Sequence, residues 1–537
     1  MLLGAAAGVA GSVAWLDGCG RGPAAVALPP GGWVGADAER GHRVRDAAER
    51  RRGVWPAPAR RVGVLIAGAG IAGLAAARAF TQRGIDDVHL LELEDAAGGH
   101  ARGHAMAGMP CPLGAHYLPL PAPESTEVAA WLHEIGLLRR VQGRSLPAER
   151  HLCHSPQERL FHDGHWIEGL LAPAAPGSPR LEQYRRFAAR IDALARRSDG
   201  GRRFALPAHR ARWDAESAAL DATAFASWLA REGFDEPALL AYLDYCCRDG
   251  YGAGADVVSA WAGVHYFASR HGFHAPGEPE RERDAVFTWP EGNAWLVQRL
   301  AAPLGERLHT GASVLGVREE RAGVQVLVRH EASGRTESWS AGIVVLALPL
   351  ALAARLVDRA PEALRQAAAL LPSAPWLVAN LQLDAPLLER IGAPLSWDNV
   401  IEHAAGTSTS LGYVDALHQS LRPYAGAGVL SAYHALPAAE RAPLLAADWR
   451  PWAERVLADL APAHPDLRAK VRRIDLMRWG HGMAVPRPGV QRHPALLALR
   501  AARGRLRYAH SDLAGCSVFE EAFTAGAEVA GRADALR

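Results

Sequence analysis

Residues 61–73 read Arg61-Val62-Gly63-Val64-Leu65-Ile66-Ala67-Gly68-Ala69-Gly70-Ile71-Ala72-Gly73. The apolar run over 62–67 predicts a buried strand, and the alanine-rich stretch 74–80 predicts a helix that ends at Gly84. Residues 88–92, Val-His-Leu-Leu-Glu, predict a second strand. Between the first strand and the helix, Gly68 permits a tight turn, Gly70 lets backbone approach a pyrophosphate, and Gly73 lets helix and strand pack closely. The helix start at Ile71 and Ala72 points free N–H groups and partial positive charge at the phosphates. Glu92 lies 19 residues after Gly73, at the end of the second strand, where a carboxylate can accept ribose hydroxyls. Strand, glycine loop, helix, strand and acid stand in register, so a dinucleotide site is expected.

Asp95-Ala96-Ala97-Gly98-Gly99-His100-Ala101-Arg102 follows. This resembles the flavin-containing amine oxidase superfamily, in which a Gly-Gly-Arg turn meets the cofactor diphosphate. Gly98 and Gly99 match, His100 stands at the arginine position, and Arg102 is the candidate for the displaced charge. Gly114-Ala115-His116-Tyr117 is similar to the family segment beside the isoalloxazine. Near the other end, residues 506–512 form a strand ending at Asp512, and a helix opens with Glu520-Glu521, acids that suit its dipole. The resemblance implies that Asp512 contacts the ribityl–phosphate region and that backbone at Val518 and Phe519 faces the pyrimidine ring. Trp289-Pro290-Glu291-Gly292-Asn293 precedes a helix ending near Leu304. Val314 falls where the family sets backbone against adenine, and residues 344–349 look like the strand returning to the cofactor domain. The cofactor so implied is FAD, held without a covalent bond.

The fold expected from these matches is α/β: a discontinuous Rossmann-like FAD-binding domain over 61–125, 284–356 and 474–537, with an inserted α+β substrate domain over 126–283 and 357–473. Helical periodicity covers 181–197 and 225–245, and residues 245–252 break it. That break reads either as a helix junction beside an aromatic core or as a place where Asp249, Tyr251 and His265 line a pocket over the flavin. Residues 376–383 and 429–433 read as strands. Residues 20–60, rich in Gly, Pro, Ala and Arg, read as a linker with one short helix. Residues 1–16 carry no charge and are too short and glycine-rich for a span of ~20 apolar residues. They resemble a signal-peptide core, and Leu16-Asp17-Gly18-Cys19 resembles a lipoprotein cleavage box. The basic leader expected before such a core would then lie upstream of Met1. Residues 1–19 are accordingly expected to direct the protein to a bacterial periplasm, tethered to the membrane through Cys19 or simply cleaved.

Composition narrows the chemistry. The chain has 537 residues, 49% hydrophobic and 22% charged, with a net charge of +2, which gives no support to nucleic-acid binding. Lys470 is the only lysine, so a GK[ST] phosphate loop is excluded, and the only lysine open to Schiff-base chemistry sits in what reads as a solvated face. Neither HExxH nor GxSxG occurs. The six cysteines form no CxxC pair, and His151, His154, His162 and His165 match no tetrahedral zinc spacing, so no metal site is expected.

A flavin takes the hydride itself, so no acid–base dyad need appear in the sequence. The expected reaction is hydride transfer from a small-molecule C–H bond to flavin N5, the substrate being an amine or polyamine. The family usually frames that amine between two aromatic residues. Trp479 or His481 can supply the first, and the second position falls on Val518, which is not aromatic. Many relatives also place a lysine six residues beyond the proline of the returning strand, to help oxygen react. Counting from Pro349 reaches Arg355. Arginine is a permanently charged planar fork and no substitute for lysine, which points to slow reoxidation by oxygen and to another electron acceptor, of unknown identity. A desaturase-like enzyme on an apolar carotenoid-type substrate, or a non-catalytic flavoprotein scaffold, are the other readings. Acids and aromatics in the pocket favour the amine, a greasy tunnel the carotenoid, and a sealed flavin face the scaffold.

Overall fold

The stretch that opens the analysis lies at the centre of a seven-stranded sheet. In the computed structural model, which describes residues 27–50, 55–196, 201–270, 272–276, 285–404, 406–420 and 426–531, strand Pro58–Ala67 pairs in parallel with Val88–Leu91 on one side. On its other side it pairs in parallel with Thr336–Leu346. Its side chains alternate between two cores: Val64 and Ile66 face one, Leu65 and Ala67 the other, and all four are buried. That is the pattern of a parallel strand covered on both faces. Leu308–His309 extends the sheet beyond Val88–Leu91, and Leu506–Tyr508 adds in parallel beside residues 344–346. Strands Ala312–Glu319 and Val324–His330 complete it as an antiparallel meander.

Helices Ile71–Gln82 and Phe519–Gly531 cover one face and cross closely. The crossing needs Gly526, because a Cβ there would lie 2.1 Å from the Ala72 carbonyl oxygen. Helix and glycine loop meet as closely at Gly73, whose Cβ would sit 1.9 Å from the Gly68 oxygen.

A second sheet has eight strands in the order Gly31–Trp33, Val471–Ala484, Ser373–Leu383, Gly428–Ala435, Ser410–Asp415, Asp398–Ile401, Glu158–His162 and His165–Glu168. Leu377, Ala379 and Leu381 face the helix Trp449–Leu460, while Trp376 and Val378 face back toward the first sheet. Both inserted segments contribute strands, so the substrate-side unit is a mixed sheet with helices beside it. Those helices, among them Pro179–Ala195, Pro237–Tyr251 and Ala260–Ala268, close over Tyr184, Phe187, Trp261 and Phe267.

Several expectations need correction. Residues 20–60 are more than a linker: Gly31–Trp33 is an edge strand of the eight-stranded sheet, and helix Ala38–Arg50 buries Val44 against the seven-stranded sheet. Three residues pairing with a strand some 440 positions away leave no local periodicity to read. The boundary drawn at 474 falls inside the strand Val471–Ala484. The helix expected over 225–245 is two helices, Phe225–Arg231 and Pro237–Tyr251, separated at Gly233, which has φ +77°, and at Pro237. The second runs through the expected break to Gly252, whose left-handed φ of 71° closes it. The proposed leader, residues 1–19 with Cys19, lies outside the described residues.

Candidate functional site

A cavity of about 470 Å³ lies where the two sheets face each other. Its floor is the pair of glycine turns. Gly98 N–H donates to the Ala69 carbonyl at 2.8 Å, and Gly99 lies against Gly70. Gly98 has φ +129° and a Cβ there would meet the Arg102 side chain at 2.9 Å, so the turn admits only glycine. Gly68, Gly70, Ile71, Ala72, Gly98 and Gly99 all line the cavity. Gly73 does not, and works through packing alone.

Glu92 is 8% exposed and reaches the same wall. Its carboxylate accepts from Ala69 N–H at 2.9 Å and Glu94 N–H at 3.0 Å, and burial raises its pKa. The acid therefore fixes the glycine loop besides facing the cavity. Replacing Glu92 by alanine is expected to lower the melting temperature of cofactor-free protein as well as cofactor occupancy. Two backbone donors lose their acceptor, at a cost of about 1–3 kcal/mol. An unchanged melting temperature would show that the loop holds itself.

His100 and Arg102 both line the cavity, with different charge. Burial drives the His100 pKa down to about 4, helped by His510 and Arg102, so this ring is neutral at pH 7. Arg102 is 7% exposed, lies 3.9 Å from the Glu94 carboxylate and stands over the Trp479 ring at 5.6 Å. Its Nε is buried with no partner. A side-chain-free floor, a helix start and an incompletely paired guanidinium fit an anionic diphosphate. The positive side chain beside the turn is thus Arg102, two residues later than in the family pattern.

The segment 113–117 is braced from three sides. Trp479 Nε1 donates to the Leu113 carbonyl at 2.7 Å, Tyr433 hydroxyl to Gly114 at 3.0 Å, and Asn293 Nδ2 to Tyr117 at 2.9 Å. Gly114, Ala115, His116 and Tyr117 then form cavity wall. His116 Nδ1–H donates to the Gly114 carbonyl at 3.3 Å, and its ring packs 4.4 Å from that of Tyr433. Burial lowers its pKa to about 4. Val314 lines the wall beside a bulge at residues 314–316, where the ladder releases the backbone. Val518 and Phe519 line it from the start of the helix Phe519–Gly531.

Other expected residues lie off the wall. Asp512 turns inward: it accepts from Leu350 N–H at 2.8 Å and sits 3.1 Å from His510 Nδ1. Burial works to raise its pKa, and His510, the Leu350 N–H and His100 together outweigh that, leaving it lowered. It ties two loops together, while Ser511 and His510 meet the cavity. Arg355 is exposed on helix Leu350–Leu356, so its placement as a reactive residue is corrected. Lys470 is bound to Pro386 and Asp466 and lies outside the cavity lining, which contains no lysine. Of the pair Trp479 and His481, only Trp479 lines the cavity, since His481 is exposed and bonded to Ser373 at 2.8 Å. The four clustered histidines disperse: His151 accepts from Trp289, and His162 pairs with Glu402.

A second chamber of about 610 Å³ shares His116, Tyr117, Asp249, Arg270 and Val518 with the first. Its wall carries Tyr242, Tyr245, Tyr266 and Trp397, with four carboxylates, Glu158, Glu168, Asp249 and Asp398. Glu158 and Asp398 are register partners on adjacent parallel strands. Burial, then Glu158 and Asp249, raise the Asp398 pKa well above the carboxylate range, and burial lifts Asp249 to about 6. Asp249, Tyr251 and His265 all line this chamber, and of the three only Asp249 also lines the first. Tyr251 and His265 are nevertheless tied to backbone, at Ala262 and Ala205, which leaves Asp249 as the group facing a ligand. Sequence reading missed Arg270, paired with Glu520 at 3.2 Å, and also Glu158, Trp397, Asp398 and Tyr433. Each is a single residue without a motif, so nothing local marks it.

Comparison with known proteins bears on this arrangement. The family described as flavin containing amine oxidoreductase matches residues 71–533. Among solved structures, cyclohexylamine oxidase from Brevibacterium oxydans aligns at 18% identity and TM-score 0.64, covering 89% of this chain and 100% of that one. Putrescine oxidase bound to putrescine gives 18% and 0.63, covering 88% and 99%. A fatty acid isomerase from P. acnes gives 16% and 0.55, covering 88% and 98%. At such identities the likeness is one of fold.

Proposed function

The chain belongs to the flavin containing amine oxidoreductase family, and from that premise we propose that it oxidises an amine held in the chamber beside its FAD. FAD supplies the hydride acceptor when bound. Gly98, Gly99, Arg102 and Glu92 would hold the cofactor's diphosphate and ribose, and backbone at Val518 and Phe519 would face its pyrimidine edge. His116, Tyr117, Tyr433 and Trp479 exclude water from the reacting face. Asp249, with Glu158 and Asp398 beside it, holds the substrate's positive charge, and the tyrosines and Trp397 pack its carbon chain.

The observation that carries this reading is the chamber lining, aromatic rings interleaved with four carboxylates. An apolar carotenoid-type substrate would pay the desolvation of those acids with nothing in return. A scaffold without activity has no use for a second chamber walled in part by the same residues as the first. The direct test is anaerobic mixing of the yellow protein with a panel of amines and a panel of lipids. Bleaching of the flavin band by amines supports the reading; bleaching by lipids alone overturns it.

The electron acceptor in this reading is a molecule other than oxygen, since no lysine lines the cavity. Reduced enzyme mixed with aerated buffer is expected to recover its flavin absorbance slowly, over many seconds, with little hydrogen peroxide. Rapid recovery with stoichiometric peroxide would make it an oxidase. Export from the cytoplasm, with anchoring at Cys19, belongs to the same proposal and is supported by the uncharged stretch 1–16 ahead of that cysteine. Cell fractionation with a Cys19→Ser comparison tests it.

A further inference from the structure

Ala36, Gly41 and Val44 line the cofactor cavity, together with Glu92, Ala312 and Val314. They belong to the segment 31–44, which stands outside the residues 71–533 matched by the family. This segment crosses from one sheet to the other. On the substrate side, Gly31–Trp33 pairs in parallel with residues 474–476, and Val34 N–H donates to the Leu476 carbonyl at 2.8 Å. Gly35 then turns the chain tightly over Met477. It has φ +83°, and a Cβ there would lie 2.6 Å from the Met477 sulfur.

On the cofactor side, the helix Ala38–Arg50 is tied down over its first turns. Asp37 N–H donates to both Glu94 carboxylate oxygens, at 3.1 and 3.2 Å. Arg40 donates to Asp95 at 2.8 Å and to the Leu93 carbonyl at 3.2 Å, and Arg43 to Glu331 at 2.8 Å. Val44 is buried in the same core as Leu91, Ala312 and Val314. Glu39, His42 and Arg45 are exposed, so the helix turns positions 40, 41, 43 and 44 inward. Gly41 and Val44 share that inner face, one turn apart. A Cβ on Gly41 would meet no atom within 4 Å, so the space in front of it is the cavity. Glycine keeps this space open at a helical position that almost any side chain would support better.

We infer that residues 31–44 form a strap that closes the adenosine end of the FAD site, with the Gly41 face against the nucleoside. The acid that ends the second strand of such a βαβ unit takes the ribose, so Glu92 marks this end. The strap is bonded to the three residues that follow it, Leu93, Glu94 and Asp95. Glu94 also links the strap to the diphosphate side, because the Arg102 guanidinium lies 3.9 Å from the same carboxylate. The two anchors sit on different sheets, so the strap seats only when both are in place. FAD enters before it seats and leaves after it lifts, which makes release slow. A splint that merely joined the sheets would gain from a side chain at position 41. The strap rests on FAD as the cofactor and on no choice of substrate.

The test uses the full chain, purified with FAD and also stripped of it. Hydrogen exchange at the 36–44 amides is expected to slow at least tenfold when FAD is returned to the stripped protein. Gly41→Leu should weaken FAD binding at least tenfold, read from flavin fluorescence on titration. Its stripped form should melt no lower than the stripped parent, because leucine is the better helix former. The double variant Arg40→Met, Arg43→Met alters side chains outside the cavity lining and should release FAD at least tenfold faster on dilution. A Gly41→Leu protein that binds FAD as tightly as the parent would overturn the inference. So would exchange at 36–44 that ignores FAD, or release from the double variant at the parent's rate. Weak FAD binding by Gly41→Leu together with a lowered melting temperature of its stripped form would make the segment a splint and overturn it equally.

Discussion

Replacing Asp249 and Asp398 together by asparagine is expected to lower kcat/KM for a cationic amine on the order of 10²–10³-fold while the protein stays yellow. Removing the buried partners of a desolvated ammonium costs about 2–5 kcal/mol in comparable sites. The pH dependence follows from the same groups. The folded-state pKa of Asp249 is raised to about 6 by burial, so the carboxylate holds its charge above that pH and loses it below. Affinity for a cation should therefore fall as pH drops through about 6, and the double variant should lack this limb. Stability has the opposite sense. A carboxyl whose pKa is raised by folding disfavours the native state above that pKa, and the penalty is relieved as pH falls toward the unfolded value of about 4. The variant should thus melt no lower than the parent at pH 7, which separates lost binding from lost structure. Steady-state rates between pH 5 and 9 for both proteins decide it; an unchanged kcat/KM in the variant would remove the chamber acids from substrate binding.

Arg102→Met is the second substitution with a large expected effect. The purified variant should be folded and nearly colourless, its FAD affinity down by about 10²-fold. A buried guanidinium with a free Nε contributes a charge-assisted hydrogen bond of about 1.5–3 kcal/mol to a diphosphate, and more when its loss leaves that anion unpaired. His100→Gln should retain FAD, because the neutral imidazole carries no charge to lose. Flavin absorbance at constant protein, with circular dichroism as the folding control, distinguishes the two. A colourless His100→Gln beside a yellow Arg102→Met would return the phosphate contact to position 100.

The sequence alone was sufficient for the first βαβ unit of the cofactor half. Short-range geometry dictates it: the Gly68, Gly70 and Gly73 spacing, the buried alternation of 64–67, and Glu92 at the next strand end each act within one βαβ unit, where neighbours in sequence are neighbours in space. The Gly98-Gly99 turn was legible through its resemblance to the family's Gly-Gly turn. What only the tertiary structure decided is which side chains share a cavity. Glu158, Asp249 and Asp398 come from a strand, a helix and another strand spread over 240 residues, and they meet because Glu158–His162 pairs in parallel with Asp398–Ile401 above helix Pro237–Tyr251. Arg355, placed by counting along the chain, and Asp512, placed by resemblance, face solvent and a loop junction, because either fixes a position along the backbone and only packing fixes the direction of a side chain. Charge was decided the same way. His100 and Arg102 are two residues apart, and burial, which no local pattern encodes, leaves one neutral and keeps the other's guanidinium at the cavity wall.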